Sequence, residues 1–425
     1  MRALVPRKIS YYVLIGFLTG LILRYFMLFY KGTFDMDAYS EWGKKTLESG
    51  LVKSYGGIYF PFQYQIFEVC AWIAMRLGSS LITVLKSSNL LFDVGTFLLL
   101  LLLLKRQQSN PVYALLYWLH PWFLSVFSLG YIDFHFTFFV VLSLYCLRGD
   151  TVGDYLLSGI PLGLAFVMKP QAQILVVAAF FYAMCHYART RAIRPLGMLV
   201  GPVSLFLAYE AYFTASLFSE LRRKALYVLP LSYLNVTNVF PCLTGQMLNI
   251  WYPIAYSLKR RGDPIYSVSD QILLLPHLSA RWTAATIVLV VLAFHVLRVE
   301  RDVKATVGNK FIRMFGVATL LVPFIMTSAH ENHLFLGSVF LVLFIATDFP
   351  PSFKLAAYIL LAIQFLNIYG LYGEHPSGIA LFLRRRYSEE LAVVYSLIST
   401  VCFALVFKYL IPRERSVVKS SGQAL

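Results

Sequence analysis

Charge is scarce in this chain. Asp, Glu, Lys and Arg together supply 14% of its 425 residues, against about 25% in an ordinary soluble domain. Hydrophobic residues supply 59%, and mean hydropathy is +0.68. Too little polar surface is left to cover a water-soluble globule. Cysteine is also sparse: Cys70, Cys146, Cys185, Cys242 and Cys402 are scattered, odd in number and never arranged as CxxC. That excludes a disulfide framework and a cysteine zinc site. No GxGxxG, P-loop, HExxH or G-x-S-x-G occurs in a suitable context, which argues against a nucleotide-using site of the soluble type. There is no tandem repeat and no domain-sized linker, so residues 1–425 read as one integral domain.

Long apolar runs are abundant, and many approach the ~20 residues that carry a helix across a bilayer. The chain reads as an all-α multi-pass membrane protein with about twelve transmembrane helices. The first run, roughly 10–30, has no small-residue cleavage pattern and reads as a retained span. Further spans are expected near 111–129, 131–147, 153–168, 171–188, 195–215, 280–298, 310–328, 333–348, 354–373 and 388–410, with another ending at Lys105 and Arg106. The segment 59–78 is apolar but short, Pro-broken and aromatic, and fits an interfacial or re-entrant element. Two stretches read as outward loops: 31–80, with short amphipathic helices, and 216–279, which is long and mixed.

The net charge, 37 − 21 = +16, follows from Lys and Arg gathered in cytoplasmic loops. No separate basic domain exists to bind nucleic acid. Membrane lipids are the expected surroundings, and part of the excess suits anionic lipid or a phosphate-bearing substrate. With both termini inside, "CLRGD" and "HYARTRAIRP" fall inside, while "GYIDFH" and "MKPQ" fall outside. The clusters "KRRG" (259–262) and "RRRY" (384–387) are outward exceptions.

That topology gathers the costly polar residues on one face. Asp35, Asp37, Asp133, His135, Lys169, Arg222, Arg223, Lys224, His330 and Glu331 are remote in sequence but share the outward side. In "FDMDAYSEW", a helix would set Asp35 and Asp37 about 200° apart and align Asp35 with Tyr39 and Trp42. One carboxylate then enters a cavity while the other caps the helix or faces water. A carboxylate under a dry aromatic roof is raised toward the range a general base needs near neutral pH. Taken singly, each of these residues also fits an ordinary interfacial role. Arg24, Lys86, Asp93 and Glu210, within or near apolar runs, read as intramembrane pairs.

The acidic motif with its trailing Trp42 resembles the GT-C superfamily of membrane glycosyltransferases, which use polyprenyl-phosphate sugars. It is similar to the dolichyl-phosphate-glucose transferases and to prokaryotic relatives of the GPI second-mannose transferase. "YFPFQYQIF" (59–67) resembles the family's "YPP…Y", with Phe60 for the first Pro. "LHPWFLSVFSLGYIDFHF" (119–136) resembles "NP…GQxDS", with His120 for Asn and Tyr131 for Gln. "MKPQA" (168–172), "LNIW" (248–251) and "AHENHLF" (329–335) resemble later signatures, the last with Asn332 where a basic residue is usual.

The resemblance implies a GT-C-like fold and inverting transfer of a hexose, mannose ahead of glucose. The donor would be a polyprenyl or dolichyl phosphate sugar, and the acceptor a glycan or lipid-linked molecule on the non-cytoplasmic face. It casts Asp35 as catalytic base, with Asp37 and Glu331 as supporting acids. His330, Lys169, Arg222 and Arg223 would meet the donor phosphate, and Tyr39, Trp42, Asp133, Asn249 and Trp251 would line the cavity. A leaving phosphate demands no metal and no cofactor is expected, although an acidic pair also suits Mg²⁺ or Mn²⁺. Two other classes fit the composition: a lipid-linked sugar flippase or transporter, and a non-catalytic membrane subunit.

Overall fold

The computed structural model describes residues 7–216, 240–372 and 388–412. Seventeen α-helices lie within them, joined by short 3₁₀ turns and one small antiparallel hairpin, β1 (Leu273–Leu275) with β2 (Leu278–Ser279). The helices are α1 (Arg7–Met27), α2 (Asp35–Ser49), α3 (Leu51–Ser54), α4 (Pro61–Leu77), α5 (Leu81–Arg106), α6 (Ala114–Leu119), α7 (Pro121–Leu129), α8 (Asp133–Cys146) and α9 (Val152–Phe166). They continue with α10 (Gln173–Thr190), α11 (Gly197–Ser216), α12 (Trp251–Leu258), α13 (Ala280–Arg301), α14 (Val307–Ile325), α15 (Phe335–Ile345), α16 (Pro351–Tyr372) and α17 (Glu389–Leu410).

Among the described residues, seven helices are long and apolar enough to cross a membrane: α5, α10, α11, α13, α14, α16 and α17. The pair α6 and α7, bent by 45° at Pro121, makes an eighth if it is one span. The expectation of about twelve is not reached by this measure, because α1, α8, α9 and α15 have shorter apolar stretches. The helix α15 shows why. Its 11 residues rise about 17 Å, roughly half a bilayer core, and every one is buried by protein. Segment 59–78 forms α4 over 17 residues and is not among the helices that meet the crossing criterion. One face buries Tyr64, Phe67, Cys70 and Ala74, while Val69, Trp72 and Met75 are exposed. The cluster 384–387 lies outside the described residues.

One pair of opposite charges inside the bundle is matched. Arg24 and Asp93 are both fully buried and pair at 2.5 Å, tying α1 to α5, while Tyr117 from α6 donates to the same carboxylate. Among the described residues Lys86 has no carboxylate partner, contrary to the expected ion pair. Its Nζ donates to the carbonyls of Met27, Tyr30 and Ser128, at 3.1, 2.5 and 2.7 Å. It thereby gathers the chain ends after α1 and at α7, and satisfies carbonyls that helix termini leave open. Removing either member of the Arg24–Asp93 pair strands a buried charge, at a cost of about 3–5 kcal/mol.

Candidate functional site

Four connections meet at one end of the bundle. The first leads into α2. Gly32 has φ +88° and Gly130 has φ +83°, and any Cβ at Gly32 would strike the Leu129 carbonyl oxygen. Glycine at both positions lets the turn before α2 dock on the end of α7, where the Thr33 N–H donates to the Leu129 carbonyl at 2.9 Å. Asp35 is the first residue of α2, where a negative charge also faces the positive end of the helix.

The second connection precedes α4. The Phe60 and Phe62 N–H groups donate to the Met168 and Val167 carbonyls, at 3.0 and 3.1 Å. This sets the aromatic 59–62 stretch beside the third connection, where Lys169 precedes Pro170. The fourth is the loop between α14 and α15. The Gly245 N–H donates to the Ala329 carbonyl at 2.8 Å, and Asp270 accepts from Thr327 and Ser328 while pairing with Arg281 at 2.7 Å. That clamp holds Glu331 and Asn332 in place.

The site that results is an ionic cluster. Lys169 Nζ and Asp133 Oδ1 are 2.7 Å apart, both almost fully buried. Asn332 donates to the other Asp133 oxygen at 2.9 Å. The Lys169 ammonium also lies 5.3 Å from the centre of the Phe136 ring and 5.8 Å from that of Tyr59. Glu331 is 3% exposed, and its Oε1 accepts from the hydroxyls of Tyr131 and Tyr372, the latter at 2.6 Å. Its Oε2 has no partner among the described residues.

Asp35 is half-buried and shows no hydrogen bond or ion pair within the described residues. Burial pushes its carboxyl up to about 6, with the Glu331 charge adding to the rise, Lys169 opposing it and Asp133 adding again. The group therefore changes charge in a range useful for taking a proton near neutral pH.

The other residues singled out in the sequence fall in different places. Asp37, expected as a supporting acid, pairs with Lys31 at 2.8 Å, both side chains more than half exposed. Tyr39 and Trp42 pack into an aromatic layer beneath α2, where Tyr39 stacks on Phe67 at 5.1 Å and Trp42 on Tyr64 at 5.5 Å. Asn249 and Trp251, expected to line the cavity, clasp the end of α14. Asn249 donates to the Pro323 carbonyl at 3.0 Å and Trp251 Nε1 to the Ile325 carbonyl at 2.6 Å, closing the end of α14.

His135 bridges Gln63 and Ser88, each at 3.0 Å, and so joins α4, α5 and α8. His330 packs edge-on to Phe240 at 4.7 Å, and burial holds its imidazole below the usual range, with Glu331 opposing. Lys169, expected as a phosphate cation, is paired with Asp133. Arg222, Arg223 and Lys224 lie outside the described residues. Among the described residues, no group of three or more His, Cys, Asp or Glu is placed to hold a metal ion.

Tyr131, Tyr372 and Asn332 were not assigned to the site from sequence. Tyr131 and Asn332 stand within the quoted motif-like stretches, whereas Tyr372, at the end of α16, carries no sequence signal at all. Fold and site together define a helical, membrane-embedded protein with a buried ionic cluster at one end of its bundle. Compared with protein-family models the chain matches none, and compared with curated proteins it matches none.

Proposed function

We propose that the chain is an inverting hexosyltransferase that takes its sugar, mannose ahead of glucose, from a polyprenyl-phosphate donor. The observation that carries this reading is Asp35: a half-buried carboxylate without a partner among the described residues, raised to about 6 by burial and by Glu331. Asp35 takes the proton of an acceptor hydroxyl as that oxygen attacks the anomeric carbon. The new C1–O bond forms on one face of the sugar. The C1–O bond to phosphate breaks on the other, and its electron pair leaves with the polyprenyl phosphate. The donor's lipid tail stays in the bilayer, and the reaction runs on the non-cytoplasmic face.

Twelve crossings are part of this reading. The seven long helices, the α6–α7 pair and the shorter α1, α8, α9 and α15 would alternate so that Asp35, Lys169, Glu331 and Tyr372 share that face. The charge on the leaving phosphate calls for donors near it. With Lys169 held by Asp133, His330 as a neutral donor and the Arg222–Arg223 stretch are the groups assigned to it. The purified protein, offered radiolabelled mannosyl and glucosyl polyprenyl phosphates side by side with a hexoside acceptor, is expected to transfer one of the two. Transfer of neither sugar, and no release of labelled hexose, would remove the reading and favour a carrier or a non-catalytic subunit.

A further inference from the structure

Only residues 302–306 join α13 to α14. The 19 residues of α14 then rise about 28 Å before the loop that carries Glu331. The C-terminal end of α13 therefore lies a helix length from the ionic cluster. There α13 meets α17: the rings of His295 and Phe407 are 6.5 Å apart, centre to centre. An open groove of about 670 Å³ runs between the ends of these two helices. Its apolar wall includes Phe403, Ala404, Phe407 and Ile411, and its two charged residues are Arg298 and Lys408. Positions 403, 407 and 411 are four apart, as are 404 and 408, so one face of α17 supplies most of the groove. Arg298 comes from the last turn of α13, and Lys408 from the last turn of α17.

One cation in the last turn of a helix offsets the helix dipole and by itself signals no ligand. Here two, from different helices, line one apolar groove, and among the described residues no acid lines it with them. Glu300 and Asp302, close by in sequence, pair with Arg189 at 2.8 Å and Arg313 at 3.1 Å. A guanidinium and an ammonium only donate, so the group they suit is an anionic acceptor such as phosphate. The apolar wall beside them suits hydrocarbon, and basic pockets between membrane helices bind lipid headgroups in this way. We propose that the groove between α13 and α17 binds an anionic glycerophospholipid, with its phosphate on Arg298 and Lys408 and an acyl chain along Phe403, Ala404 and Phe407. A polyprenyl-phosphate donor does not suit this place, because its sugar would have to reach Asp35 at the opposite end. Residues 413–425, which follow the groove, carry three basic side chains and one acidic, a poor match for two cations. Nothing in the lipid site depends on hexose transfer.

The full chain in detergent micelles, titrated with dioleoyl phosphatidylglycerol or dioleoyl phosphatidylcholine and read by native mass spectrometry, tests this. Wild type is expected to bind phosphatidylglycerol at least about ten-fold more tightly than phosphatidylcholine, the scale of one hydrogen bond to a charged group. Arg298→Gln/Lys408→Gln should erase that preference by weakening phosphatidylglycerol alone. Lys408 is exposed, so Lys408→Gln by itself should weaken it about three-fold even if the double variant folds poorly. Arg301→Gln/Lys304→Gln removes the same charge from exposed positions outside the groove and should keep the preference. Ala404→Trp, which fills the groove and leaves both cations, should weaken both lipids.

Equal affinity of wild type for the two lipids overturns the assignment. So does an equal loss in the groove pair and the exposed pair, which would reduce the effect to diffuse attraction. Wild-type affinity in Ala404→Trp overturns it too, because the acyl chain would then lie elsewhere. A wild type that binds neither lipid does the same, and leaves the groove to a second copy of the chain or to residues 413–425.

Discussion

Lys169 and Asp133 form a buried ion pair at 2.7 Å, joining the end of α9 to the start of α8. The lysine is thereby matched before any ligand arrives. Its partner is also held by Asn332, so three separate parts of the chain depend on one carboxylate. Breaking the pair from one side leaves a charge stranded in a dry place, which typically costs about 3–5 kcal/mol. Lys169→Met is expected to lower the thermal unfolding midpoint in detergent steeply. The double variant Lys169→Met/Asp133→Leu should recover most of that loss. Equal destabilisation by the single and double variants would show that the pair itself is not what matters.

Asp35 carries a dependence on pH whose direction follows from its raised carboxyl. The folded value is about 6 and the ordinary value 3.8. The stabilising preference for the protonated form is fully present below about 3.8 and is lost as the pH rises through about 6. Asp35→Asn, neutral at every pH, should match wild type near pH 4. Near pH 8 it should be more stable, by about 1–2 kcal/mol once solvent screening is allowed for. Unfolding midpoints measured across pH 4–8 check this, and a constant difference between the two proteins would contradict it.

Asp37 is the natural control. It sits two residues from Asp35 and makes an exposed pair with Lys31. Such pairs are worth about 0–1 kcal/mol. Asp37→Asn should leave both unfolding midpoint and transfer rate near wild type. A large loss of transfer would place Asp37 back among the working residues.

Asn249 and Trp251 close the end of α14, so their effects should fall on stability. Trp251→Phe removes the donor to the Ile325 carbonyl, and Asn249→Ala removes the donor to the Pro323 carbonyl. Each should cost about 1–3 kcal/mol, because a carbonyl loses its partner in a buried place. Transfer by the fraction that remains folded should be close to normal. A variant with an unchanged midpoint and an altered KM for donor would point to a ligand contact instead.

Much of this was readable from the residues, for a simple reason. An ionisable group in an apolar chain is expensive, so its presence marks a place where something compensates for it. Asp35, Asp133, Lys169 and Glu331 were all visible in that way, and so were Arg24, Lys86, Asp93 and Glu210, though not which of them pair. Their partners were less visible, because pairing is decided by how loops dock and not by spacing along the chain. Nothing in sequence matches Lys169 to Asp133 before a ligand, or brings Tyr372 from the end of α16 to Glu331. The number of spans was blurred for a related reason. The helix α15 is as oily as any span, yet it has only 11 residues, all of them buried by protein.

The most direct test of the central claim is the initial rate of hexose transfer from mannosyl polyprenyl phosphate, measured against pH for wild type and Asp35→Asn. Wild type should rise with pH through a half-point near 6, and the variant, folded and stable, should be slower by about 10²–10⁴-fold at every pH. Transfer at the wild-type rate by Asp35→Asn would contradict the assignment of Asp35 as the proton acceptor.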